Sequence, residues 1–316
     1  WLAVSILAGV VCGGGGLLFH LALGIAEELF LNNKPLIFLL PFLGLIIVWL
    51  YTTSHMIENK GTNGVFDAVR SGEHVSAFLA PIIFVSTVLT HLGGGSAGRE
   101  GAALQMGGSL GSTLGRLLHL NQNDLKIITV CGMSATFCGL FGTPLTAAFF
   151  VLEVIDVGVF NYSALVACLT SSFTAFFMMR AFKIPPMFLN IVGAPQEYSL
   201  FPMASVIILA VGCAAVSILW CIACEKTTPF LKKTFVNPYL RVAVSGITII
   251  ILTFIMGTND YNGSGMRLAQ KAVGGEKIFA LAFLIKILFT VITLGGGFRG
   301  GEIVPTLTIG AAFGSA

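Results

Sequence analysis

Charge is what this chain has least of. Only 10% of its 316 residues are Asp, Glu, Lys or Arg, whereas soluble domains carry about 25%. With 56% hydrophobic residues and a mean hydropathy of +0.93, the deficit excludes an ordinary soluble domain and indicates a polytopic membrane protein. The net charge of +3 comes without a basic block, so no nucleic-acid partner is expected. A disulfide framework is missing too. The seven cysteines are an odd number scattered through apolar segments. Cys221-Ile222-Ala223-Cys224 is a CxxC without a second pair, and reads as two small residues on a helix. His20, His55, His74, His91 and His119 lack ligand spacing, so neither a metal site nor a cofactor is expected. No HExxH supports an intramembrane enzyme. The chain starts at Trp1 and ends at Ala316 in an apolar segment, with no signal-peptide n-region. The expectation is a single transmembrane domain over 1–316, truncated at both ends.

Hydrophobic runs lie at about 1–26, 36–53, 75–92, 125–139, 144–159, 162–182, 204–224, 239–257 and 278–294, with shorter helical pieces near 100–118 and 302–314. Several are too short or too glycine-broken to cross a hydrocarbon layer of about 30 Å alone. Broken and re-entrant helices of this kind are tolerated only where backbone lines a cavity or is buried in protein. For orientation, the Glu225–Arg241 segment carries Lys226, Lys232, Lys233 and Arg241 against one acid. It is the better cytoplasmic loop than Phe182–Pro202, which holds Lys183, Glu197 and four prolines.

Glycine, in contrast, is abundant, with 38 residues. Gly107, Gly108, Gly111 and Gly115 fit close helix packing. Two clusters differ. Leu92-Gly93-Gly94-Gly95 leads to Gly98-Arg99-Glu100, and Leu294-Gly295-Gly296-Gly297 leads to Gly300-Gly301-Glu302. Leucine, the three glycines, a later glycine and the glutamate all match at the offset that separates Glu100 from Glu302. Upstream, Gly61-Thr62-Asn63-Gly64 and Gly263-Ser264-Gly265-Met266 match as small polar turns. Repeats around intramembrane turns mark ion transporters. Three glycines disfavour helix, so turns with free N–H groups are predicted. Such groups at helix N-termini attract anions. The halves are placed at about 1–180 and 181–316; the residues themselves leave inverted and parallel arrangements both open.

Gly98-Arg99-Glu100-Gly101 resembles the GREGP signature of the CLC family of chloride channels and proton-coupled anion antiporters, with Ala102 in place of proline. Gly300-Gly301-Glu302-Ile303-Val304-Pro305 is similar to the family's later GGxFxP element. Phe141-Gly142-Thr143-Pro144-Leu145 through Glu153 resembles the proline-containing helix between them. The departures resemble the bacterial fluoride/proton antiporter branch. Gly61-Thr62-Asn63-Gly64-Val65 replaces the GSGIP serine motif, Glu302 stands where chloride-type members are apolar, and Val154 stands where many proton-coupled members have an internal glutamate.

The resemblance implies an all-α membrane protein of CLC type, two inverted-repeat halves, and a homodimer with one ion path per subunit in the bacterial plasma membrane. Its partners are a small inorganic anion, protons and lipid. Glu100 becomes the external gate and proton carrier. Deprotonated, it occupies an anion site as a tethered anion; protonated, it leaves and admits one. Glu100 could instead pair with Arg99. Gly98, Arg99 and Gly101 support it. Glu302 reads either as a proton relay or as a solvent-facing acid stabilised by a helix dipole. Thr62 and Asn63 are anion donors, since an amide offers two N–H groups and no charge; Asn63 also suits a turn. The amides of Ile303 and Val304 add donors. Phe66 and Phe298 could line the path by their edges, or simply pack. Glu153 reads as structural, and His91 as capping or packing. The function implied is fluoride export driven by protons. A chloride/proton antiporter or passive chloride channel stays open, as does a cation transporter with the two glutamates as ligands.

Overall fold

A computed structural model describes residues 1–56, 61–156, 158–159, 161–185 and 200–316, with side chains from 203 onward in the last stretch. Most of the predicted loop at Phe182–Pro202 lies outside the described residues. Among the described residues the fold is helical, joined only by one isolated β-bridge. In the first half, α1 is Leu2–Asn32, a 3-10 turn spans Lys34–Leu39, α2 is Leu40–Thr53, α3 is Thr62–Ser71, α4 is Leu79–Leu92 and α5 is Glu100–Leu117. Next come α6 (Gln122–Phe141), α7 (Pro144–Ile155) and α8 (Tyr162–Ala181). The second half holds α9 (Leu200–Thr234), α10 (Pro238–Met256), α11 (Met266–Val273), α12 (Ala282–Gly296) and α13 (Ile303–Gly314).

Every predicted hydrophobic run is a helix, and the succession α1–α5 recurs as α9–α13. Among the described residues, six apolar stretches are long enough to span a bilayer: Leu2–Asn32, Lys34–Thr53, Gln122–Phe141, Tyr162–Ala181, Met203–Thr234 and Pro238–Met256. α4, α7, α12 and α13 have only 14, 12, 15 and 12 residues, short of the roughly 20 that a full crossing needs. Two expectations are corrected. The small polar turns open into helices, α3 starting at Thr62 and α11 at Met266. Gly61 (φ 65°) and Gly72 (φ 77°) bracket α3 in left-handed geometry that side chains resist. And the lysine-rich stretch after Cys224 is no loop: α9 continues through Pro229 to Thr234.

The chain divides into two compact units. The first comprises Trp1–Ile25, Leu50–Val88 and Glu100–Met187. Its centre is α6, packed against α5, α7 and α8. Glycine sets how close α5 and α6 come. A β-carbon on Gly132 would lie 2.5 Å from the Gly107 carbonyl oxygen, and one on Gly107 would lie 2.6 Å from that of Gly132. The expected packing role of Gly107, Gly108, Gly111 and Gly115 is what the structure shows. The second unit comprises Ala26–Trp49, Leu89–Arg99 and Phe188–Ala316. In it α12 packs against α9, α10 and α13, and α11 against α13.

Candidate functional site

In the first unit the site is the start of α5. Glu100 is its first residue and is fully buried, 0% exposed. The leading amides of a helix lack intrahelical acceptors and carry the positive end of its dipole, so this position suits a carboxylate or a free anion. α3 packs beside it. Thr62 Oγ1 donates to the Gly101 carbonyl at 3.4 Å and accepts from Gln105 Nε2 at 3.3 Å. Asn63, in the first turn of α3, is exposed. Phe66 is buried within the apolar cluster of this unit. Glu153 Oε1 accepts from Gly158 N–H at 3.2 Å, fastening the turn after α7.

The second unit holds both glycine turns and the head of α13. Gly98 and Gly301 form a two-bond antiparallel bridge, at 2.7 and 2.8 Å. The repeated motifs therefore pair with each other through their backbones. Gly300 must be glycine here, because a β-carbon would meet Ala97 Cβ at 2.5 Å and the Gly98 oxygen at 2.9 Å. Arg99 is buried. Glu302 takes the N-cap position of α13, makes no side-chain cap bond and is exposed. Val304 is buried and Ile303 half-buried in the first turn. Phe298 is buried, with its ring where a β-carbon on Gly44 would fall. The two glutamates matched by the repeat thus differ in exposure.

The expected free amides of the glycine clusters are not found. Gly93, Gly94 and Gly95 donate to Leu89, His91 and Thr90, closing the end of α4. Gly295 and Gly296 belong to α12, and Gly297 donates to Leu294. Glycine here terminates helices. The residues after the first cluster are held by the second half. Ser96 N–H donates to Thr293 Oγ1 at 3.1 Å, Ala97 N–H to the Gly263 oxygen at 3.2 Å, and Asn262 Nδ2 to the Gly94 oxygen at 2.9 Å. Buried His91 lies 3.7 Å from Glu27 through Nε2.

Each unit thus carries a helix that starts at an acid and follows a glycine-rich turn, among short apolar helices. The family model for the voltage gated chloride channel matches residues 43–316. The chain belongs to the voltage-gated chloride channel (CLC) family. It is an integral membrane protein of a family that moves anions. A "Chloride/fluoride channel protein" of Pseudomonas syringae pv. tomato is 30% identical over 322 residues, covering 100% of this chain and 71% of that relative. A crystal structure of a CLC-type fluoride/proton antiporter superposes with a TM-score of 0.92 at 29% identity, over 98% of this chain and 79% of the other. A slow cyanobacterial Cl-/H+ antiporter shares the fold, with a TM-score of 0.83 at 20% identity over 98% and 76% of the two chains.

Sequence reasoning missed Gln105, Ser96, Thr290, Thr293 and Lys286. Gln105, Ser96 and the two threonines give no signal without a partner in view. Lys286 does: it is a lone cation inside an apolar run from Ala282 to Leu294, and an ionisable residue there is a candidate for function.

Proposed function

We propose that this CLC protein exports fluoride in exchange for protons. The observation that carries the reading is Asn63 in the first turn of α3. Fluoride is small and tightly hydrated, and its dehydration must be offset by close donors; an amide supplies two without adding charge. The likeness to a fluoride/proton antiporter over 98% of the chain supports it. Glu100 is the gate: as a carboxylate it fills the anion position at the head of α5, and as an acid it vacates it. Each anion that passes in one direction then requires a proton taken up in the other. Thr62 and the amides of Ile303 and Val304 are further donors, and Gly98, Arg99 and Gly101 hold the gate segment. Glu302 relays the proton, in place of the internal glutamate that Val154 removes. The protein acts as a homodimer in the bacterial plasma membrane.

The test is flux from liposomes loaded with fluoride or chloride, with internal pH followed. Fluoride efflux with alkali-to-acid movement inside, and no chloride efflux, is expected. Chloride efflux of comparable rate would sink the fluoride assignment. A second reading, a passive chloride channel, is favoured by Val154; it would show anion flux with no proton movement. Glu100→Gln should abolish proton coupling, and coupled flux in that variant removes Glu100 from the gate.

A further inference from the structure

Lys286 is fully buried, 0% exposed, in the middle of α12. Its Nζ lies 2.8 Å from Ser96 Oγ, 3.1 Å from the Tyr261 oxygen and 2.9 Å from the Gly263 oxygen. The hydroxyl protons around it are all assigned by geometry. Thr290 Oγ1 donates back to the Lys286 carbonyl at 2.9 Å, so it can only accept from Ser96 Oγ, 2.9 Å away. Ser96 has then spent its own proton, and its oxygen can only accept from Nζ. Two carbonyls and this hydroxyl oxygen thus need three N–H donors. A neutral amine has two; the ammonium has three. The three acceptors around Nζ therefore match the ammonium form of Lys286. Among the described residues, no carboxylate is among its hydrogen-bonding partners.

A buried charge is costly unless it is compensated or used. These partners are also specific: Ser96 belongs to the turn leading to Glu100, and Tyr261 and Gly263 to the turn before α11, in the unit that carries Ile303 and Val304. We propose that Lys286 is a fixed cation of the transport machinery, which positions the Ser96 turn through its three N–H bonds and strengthens anion binding through its charge. This rests on anion transport by the family fold and is independent of which anion is carried.

The experiment uses the full chain in liposomes and measures initial rate against concentration for whichever of fluoride and chloride the wild type carries. A fixed charge that strengthens anion binding by about 1.4 kcal/mol changes affinity about tenfold. Lys286→Met should therefore raise KM about tenfold. Lys286→Arg keeps the charge but disturbs the hydrogen bonds, because the side chain passes so near Gly265 that a β-carbon there would lie 2.7 Å from Lys286 Cε; it should keep KM within about twofold while kcat falls. Ser96→Ala should do the same. A Lys286→Met protein with wild-type KM overturns the proposal. So does an Arg or Ser96→Ala variant whose KM rises as far as that of Met. Where Lys286→Met does not elute and melt as a folded protein, the double substitution Lys286→Met with Ser96→Ala removes one orphaned acceptor, and the two charge-keeping variants decide by their KM alone. Wild-type selectivity between fluoride and chloride tests the proposed substrate separately, so the two ideas fail by different measurements.

Discussion

At the scale of single residues, a few atoms separate one member of this family from another. Asn63 offers an uncharged amide at the head of α3, where a serine hydroxyl would offer one donor. Asn63→Ser should admit chloride, seen as chloride efflux rising from background while fluoride efflux falls. Glu302→Gln keeps shape and loses the proton; coupled flux should drop about a hundredfold, the lower range of a general acid–base contribution, and an unchanged proton-to-anion ratio would remove Glu302 from the relay. Gly300 is a packing requirement. Gly300→Ala forces a methyl into Ala97 and the Gly98 oxygen, which should cost about 1–3 kcal/mol, read as a lower melting temperature in detergent. Charge at this scale is where sequence reading was uneven. Glu100 stood out because it sits in a repeated motif. Lys286 stood in plain view, but its meaning comes from Ser96, 190 positions away.

At the scale of elements, the helices were legible because each apolar run has its own length and its own breakers. Asn237 caps α10, accepting from Tyr239 N–H at 2.9 Å, with Pro238 as the first helical residue; Gly142 and Pro144 separate α6 from α7. α3 and α11 were not legible as helices. They are short, bear charge, and begin after left-handed glycines at 61 and 265, which read as turns from sequence. α9 was read too short because its last turns carry Lys232 and Lys233, which suggested a loop. The glycine triplets were read as open N–H arrays because nothing in sequence says which carbonyl each amide will meet. The α5–α6 contact supplies a further prediction. A side chain at Gly132 must push apart backbones that touch at Gly107 and Gly111. Gly132→Val should lower the yield of folded protein far more than Gly310→Val, where a β-carbon meets no neighbouring atom.

At the scale of the whole molecule, large apolar side chains point outward where a soluble protein would be polar. Ile207, Ile208, Val211 and Ile218 of α9 are exposed, as befits lipid or a second copy of the chain. Two tryptophans test the lipid contact. Trp49 is 55% exposed and Trp220 6%. In single-tryptophan proteins in bilayers with brominated acyl chains, Trp49 fluorescence should be strongly quenched and Trp220 spared; equal quenching would contradict the packing of α9 on α12. The bridge between Gly98 and Gly301 bears on how the molecule is made. Ser96, Ala97 and Gly98 take their backbone partners from Thr293, Gly263 and Gly301. A ribosome adding about 5–20 residues per second needs roughly 10–40 s to travel between the paired glycines. During that interval the segment ahead of Glu100 has none of these anchors. Its fixing is timed by synthesis of the second repeat.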